Sequence, residues 1–254
     1  MMHLIDSHCH LDFEQFDLDR WQILKRCQQL GISNIVIPGV TAKRWHRLLE
    51  LCDHNDMLHP ALGLHPMFML EHHADDLATL EHLLTQHSVV AIGEIGLDFY
   101  SKDHDKNAQI ELLIKQLQLA QQADLPVILH VRKAHDQMIA LLKQYPVKGG
   151  VVHAFSGSAQ QAQNYIKQDM LFGIGGAYSY QRATRLHNLI KQLPLSSITL
   201  ETDAPDMPLQ GKQGQRNSPE SIAVIANIVA DLRQQKVNDI ARITTENCKR
   251  IFNI

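Results

Sequence analysis

Side chains of the kind that bind metal ions stand at the ends of apolar runs spread from residue 8 to residue 203, and this placement restricts the fold more than any other feature. They are His8 and His10 in HLIDSHCH, Glu94 in VVAIGE, His130 in PVILH, His153 in GGVVH and Asp203 in SITLETD. A run that forms a strand delivers its last side chain to the rim of a sheet. Deliveries from strands so far apart in sequence meet at one point only if the sheet closes on itself. The pattern points to a barrel with a metal-dependent hydrolytic centre at one end.

The spacing of the runs supports closure. Candidate strands fall at residues 3–7, 35–38, 60–64, 89–94, 127–130, 150–153, 171–174 and 197–201. Their end markers (His8, Ile37, His65, Glu94, His130, His153, Gly175 and Asp203) stand 22 to 36 residues apart. That is room for one strand, one helix and two short loops at each step. Amphipathic stretches fill the intervals. In 108–123, Ile110, Leu113, Leu117 and Ala120 recur at helical spacing, and Leu112, Ile114 and Leu119 widen the stripe. Helices at 219–232 and 237–252 complete the shell. The expectation is a single (β/α)8 TIM barrel, one domain over residues 1–254, a length typical of that fold. An open doubly wound sheet would announce a glycine-rich phosphate loop after its first strand. Neither GVTAK nor GIGGA fits that fingerprint.

Charge and cysteine usage exclude several classes. The net charge is −3, from 24 basic and 27 acidic residues, with no basic stripe of the kind that grips nucleic acid. A phosphate-bearing substrate must then be drawn in by bound cations. The four cysteines, Cys9, Cys27, Cys52 and Cys248, form no CxxC pair, which speaks against a disulfide framework or a structural zinc site. MMHLIDSHCH runs straight into a ligand-bearing strand, leaving no room for a signal peptide, and no apolar stretch is long enough to span a bilayer. A cytoplasmic protein with no membrane association and no evident obligate protein partner is expected.

Residues two apart on a strand share a face, so His8 and His10 should point the same way, with Leu4 and Asp6, while Ile5, Ser7 and Cys9 face the helices. Both imidazoles can then tilt onto one cation, with Asp6 orienting a ring. Glu94 closes an otherwise apolar strand, where an uncompensated carboxylate is costly. Its two oxygens suit a bridge between two divalent ions; the alternative is an ion pair with an arginine. Asp203 can bind a metal and accept a proton from an attacking water. Glu201, two residues earlier, either supports it or balances an internal arginine.

These residues lie in strings that carry a resemblance. DSHCHLD, GLHP at His65, GEIGLDFY around Glu94, HVR at His130, HAFSG at His153, ETDAP at Asp203 and RNSP at 216–219 occur in one order, and together they resemble the TatD family of metal-dependent deoxyribonucleases and related phosphoesterases. The resemblance implies a binuclear centre in an amidohydrolase-like barrel. His8, His10, Glu94 and Asp203 would hold one ion, and Glu94, His130 and His153 the other. Glu94 stands where many amidohydrolases carry a carbamylated lysine, which favours phosphoester chemistry. One departure is Ala154 in HAFSG, where many relatives have Cys; it should not affect metal binding.

The expected catalytic residues are Asp203 and Glu94. His65 and Arg132 are candidates for contacting the scissile phosphate, with a loop-capping histidine and a surface ion pair as alternatives, and Asn217 shapes the same rim. An imidazole-rich ligand set suits Zn(II), Mn(II) or Fe(II) better than Mg(II), although the resemblance implies that Mg(II) supports nuclease activity. The expected substrates are DNA ends, nucleotides or small phosphoesters. The competing reading is amide or carboxyl-ester hydrolysis on the same metal pair, as in D-aminoacyl-tRNA deacylation; a purely binding role would leave a full ligand set without use.

Overall fold

The computed structural model describes residues 3–100 and 105–254. Eight strands, β1 Leu4–Asp6, β2 Ile32–Pro38, β3 Leu58–Leu62, β4 Ala91–Asp98, β5 Val127–Arg132, β6 Gly150–Val152, β7 Met170–Ile174 and β8 Ile198–Leu200, pair in sequence order. Every pairing is parallel. Helices α1 Arg20–Gln29, α2 Ala42–Asp53, α3 Asp76–Gln86, α4 Lys106–Gln122, α5 His135–Gln144, α6 Ala159–Ile166 and α7 Thr184–Gln192 alternate with the strands, and α8 Ile222–Arg233 and α9 Val237–Phe252 follow. This is the expected (β/α)8 barrel.

Strand alternation builds two cores. Ile5, Val36, Ala61, Ala91, Ile128, Val151 and Leu171, one from each of the first seven strands, form an inner cluster with Cys248, Ile251 and Phe252 of α9. Their neighbours Leu4, Ile35, Leu62, Ile92, Leu129, Val152 and Phe172 belong to the larger outer cluster with the helices. The expected facing of β1 is therefore corrected for two residues: Ile5 points inward and Leu4 outward, while Cys9 lies in the outer cluster as expected. The reason is that β1 ends at Asp6, so period-two counting does not carry on to His8 and His10.

The last seam closes differently at its two ends. Near the site, Ser7 N donates to Leu200 O (2.9 Å), Asp203 N to His8 O (2.9 Å) and His10 N to Ala204 O (2.7 Å). At the other end α9 packs against β1 and β8. Asn247 Nδ2 donates there to Leu195 O and Ile198 O, and Thr245 Oγ1 to His3 O. These side chains satisfy edge carbonyls that would otherwise be orphaned.

Several strands differ in length from expectation. β4 runs past Glu94 to Asp98, and β5 past His130 to Arg132, whereas β6 and β8 stop before His153 and Asp203. Glu94 and His130 thus sit inside strands, and the other ligand-type residues sit in the loops just beyond them.

Candidate metal centre

A bulge aims Glu94. Between Ile92 and Ile95, β4 takes three steps while the paired β5 takes two, from Val127 to Leu129. The extra residue turns the strand locally, a device that commonly redirects a side chain at a site. Glu94, 2% exposed, ends at the centre of the mouth with its two oxygens in different company. Oε2 lies 3.2 Å from His8 Nε2 and 3.6 Å from His10 Nε2. Both ring atoms also lie 3.5–3.6 Å from Asp203 Oδ1. Oε1 lies 3.1 Å from His65 Nε2, 3.1 Å from His130 Nδ1 and 3.2 Å from His153 Nε2. All six candidate ligands converge, and His65 joins them.

Hydrogen bonds on the far side of each ring tell the histidines apart. A neutral imidazole donates from one nitrogen and offers a lone pair at the other. His10 Nδ1 lies 3.2 Å from Pro38 O, an acceptor only, so Nδ1 carries the proton and Nε2 offers a lone pair to the cluster. His130 Nε2 lies 3.0 Å from Asp98 Oδ2, which leaves Nδ1 as the lone-pair atom facing Glu94. His153 turns Nε2 to Glu94 Oε1 at 3.2 Å, with Nδ1 3.5 Å from Glu201 Oε1. His65 is the reverse: its Nδ1 accepts from Met67 N at 3.1 Å, so its Nε2 is a donor. His10 and His130 thus have far-side acceptors that suit ligation, and His65 is suited to donating a hydrogen bond.

Electrostatics follow from burial among like and unlike charges. Burial pushes His8 down to about 3 and His10 to about 4, so both are neutral. Burial works against charge on Glu94, but His65, His153 and His8 around it hold its carboxyl well below the usual range. His153 resists burial because Glu94, Asp203 and Glu201 raise it to about 10, and the Asp98 and Glu94 carboxylates carry His130 above its ordinary value. Burial, reinforced by Glu94 and Glu201, lifts Asp203 to about 8 despite the opposing pull of His153. A proton on His153 therefore offsets part of the carboxylate charge. Divalent cations would do the same and displace it.

The donor set fits such cations. His8, His10 and Glu94 place ligand atoms within 4.8 Å of one another, as do His65, Glu94 and His130. His8 Nε2 and His10 Nε2 stand 3.3 Å apart, near enough to share one cation.

Other candidates fall around this centre. Arg132 stacks on Tyr100, its Cζ 3.7 Å from the ring centroid, with Nη1 3.9 Å from Asp98. Asn217 is buried; Nδ2 donates to Thr202 O and Met207 O, and Oδ1 accepts from Ser218 N and Ser221 Oγ. It shapes the rim by pinning the loop after β8. Asp6 orients no ring: its carboxylate accepts from His8 N, Thr202 N and Thr202 Oγ1. Glu201 meets no arginine, and its one ion pair among the described residues is with His153. Asp98 escaped the sequence reading, although it lies an even number of residues beyond Glu94 on β4.

A (β/α)8 barrel with a histidine–carboxylate cluster at the loop end of its strands defines a metal-dependent hydrolase. The family model described as TatD related DNase matches residues 5–253, and the chain belongs to that family. It is 43% identical to "Uncharacterized metal-dependent hydrolase YjjV" of Escherichia coli strain K12, over 98% of each chain. The crystal structure of YjjV superposes with a TM-score of 0.95, covering 99% of this chain and 98% of that one. A further relative, 32% identical over 99% of this chain and all of the other, is the "3'-5' ssDNA/RNA exonuclease TatD" of Erwinia tasmaniensis.

Proposed function

We propose that this chain is a phosphoester hydrolase of the nuclease type, acting on single-stranded DNA ends, nucleotides or small phosphoesters with a pair of divalent cations. The observation that carries the reading is the two-sided environment of Glu94. His8, His10 and Asp203 on its Oε2 side would hold one ion, and His130 and His153 on its Oε1 side the other. Cations bound there supply Lewis acidity, lowering the pKa of a water and drawing in a phosphoester oxygen. The imidazole-rich set favours Mn(II) or Zn(II) over Mg(II).

The chain's own groups do the rest. Asp203, at the mouth with Oδ1 3.5–3.6 Å from His8 and His10, takes the proton of the attacking water once cations have displaced its own. His65, whose Nε2–H faces Glu94 Oε1 at 3.1 Å, would turn that donor to a phosphoryl oxygen once a cation takes the carboxylate, stabilising the charge gathering there. Arg132 and Tyr100 offer a flat cationic edge to the next nucleotide. Support for single-stranded ends comes from the name of the Erwinia relative and from a net charge of −3, which gives little grip on a long duplex.

The test is turnover of bis-p-nitrophenyl phosphate, p-nitrophenyl phosphate and a p-nitrophenyl acyl ester by metal-reconstituted protein. Phosphoester hydrolysis is expected, with kcat falling about 10²–10⁴-fold in Asp203→Asn while the far-UV spectrum stays unchanged. Acyl-ester cleavage with inert phosphates would replace the proposal with the deacylase alternative; near-normal turnover by the variant would remove Asp203 from its role.

A further inference from the structure

Beside the centre lies a second arrangement, to which the reaction assigns no step. Glu201, fully buried just past β8, occupies space made by the absence of a side chain on β7: a Cβ on Gly173 would lie 1.8 Å from its Oε2. Its Oε1 accepts from Ala154 N at 2.6 Å and lies 3.5 Å from His153 Nδ1, so the His153 ring and the peptide after it meet the same oxygen. The rings of His153 and His8 stack at 4.1 Å and 19°. Ligand atoms of His8, His153 and Glu201 all lie within 4.8 Å of one another. Three buried atoms in this group have no hydrogen-bond partner: His8 Nδ1, His153 Nδ1 and Glu201 Oε2.

Burying such atoms unmatched is costly, so a common solution is expected. The two rings turn Nε2 to opposite oxygens of Glu94, His8 to Oε2 and His153 to Oε1. A ring that gives Nε2 to a cation keeps its proton on Nδ1, and in both rings Nδ1 is the orphan. Apart from Glu94 on their Nε2 sides, the carboxylate grouped with both rings among the described residues is Glu201.

We propose that Glu201 is a positioning residue shared by the two halves of the centre, accepting Nδ1–H from His8 and from His153 and so fixing the metal-binding tautomer of one ring on each side. This rests on the ligand assignment proposed above. Asp98 contrasts with it, because it supports His130 alone. Removing Glu201's charge should therefore disturb both ion-binding events, and removing that of Asp98 only one. Gln at position 201 is the sharp substitution. It keeps the shape and an acceptor for Ala154 N, but it points an amide donor at ring nitrogens that need an acceptor.

Calorimetric titration of metal-free protein with Mn(II) tests the idea. Wild type is expected to bind two ions, Asp98→Asn to weaken one event, and Glu201→Gln to weaken both by about 10–100-fold. Loss of one event only in Glu201→Gln, or affinities unchanged within twofold, overturns the sharing. A wild type that binds no second ion overturns the ligand assignment instead, and the inference with it. Should Glu201→Gln fail to fold, ¹⁵N spectra of Zn(II)-loaded wild type decide. Nδ1–H tautomers at both His8 and His153 support the proposal, and Nε2–H at either ring refutes it.

Discussion

At the residue scale, five imidazoles crowd one carboxylate, and what separates them is the partner on each ring's far side. Pro38 O and Asp98 accept hydrogen bonds from His10 and His130, Glu201 stands 3.5 Å from His153, and Met67 N donates to His65. Linkage between protons and cations follows. His153 and Asp203, raised to about 10 and about 8, both hold protons at pH 7 in the metal-free protein. Metal binding should release them, so calorimetry in buffers of different ionisation enthalpy should give different heats, and affinity should rise with pH. Heats independent of buffer would contradict this. The sign for stability is opposite. For both groups the folded state binds protons more tightly than the unfolded chain, so the metal-free fold loses stability as pH rises, through about 8 for Asp203 and about 10 for His153. His8 and His10, lowered to about 3 and 4, act only in acid, where stability falls as pH drops below 6.5. The metal-induced rise in Tm should thus be larger at pH 8.5 than at pH 6.5.

The elements place these residues by irregularity as much as by periodicity. The ligand residue types and their stride were legible in the sequence because apolar runs, helical stripes and chain length all agree on a barrel. The mechanism of convergence was not legible. His8 and His10 share a direction because the chain leaves β1 at Asp6 and is held by the Asp6 carboxylate, a tie to Thr202 made 196 residues away. Glu94 faces the mouth through a bulge that no local pattern in GEIGLD announces. Asp98 and Glu201 were visible as residue types, but their neighbours, His130 on the adjoining strand for one and His8 beyond β1 with His153 beyond β6 for the other, depend on register. Gly173 tests this level directly. Gly173→Ala drives a methyl into Glu201, and overpacking of about 1–3 kcal/mol should lower Tm by roughly 2–10 °C. The loss should shrink when Glu201 is also replaced by Ala; an equal loss in both backgrounds would mean that the glycine serves something else.

At the scale of the molecule, closure and access divide between the two ends of the barrel. Helix α9 seals one end with Cys248, Ile251 and Phe252 against the inner cluster, leaving the loop end for substrate. No helix of the described residues is long and apolar enough to cross a membrane. At the open end Tyr100 is 59% exposed and backed by Arg132, a surface suited to a base beside the centre. Tyr100→Ala should raise KM for a single-stranded oligonucleotide about 5- to 100-fold and leave bis-p-nitrophenyl phosphate turnover unchanged; equal effects on both substrates would refute a stacking role. The proposed chemistry depends most on the division of the cluster by Glu94. Anomalous diffraction from crystals soaked in Mn(II) measures it directly. Two peaks are expected, one among His8, His10, Asp203 and Glu94 Oε2, the other among His130, His153 and Glu94 Oε1. A single peak, or peaks that leave Glu94 uncoordinated, would contradict it.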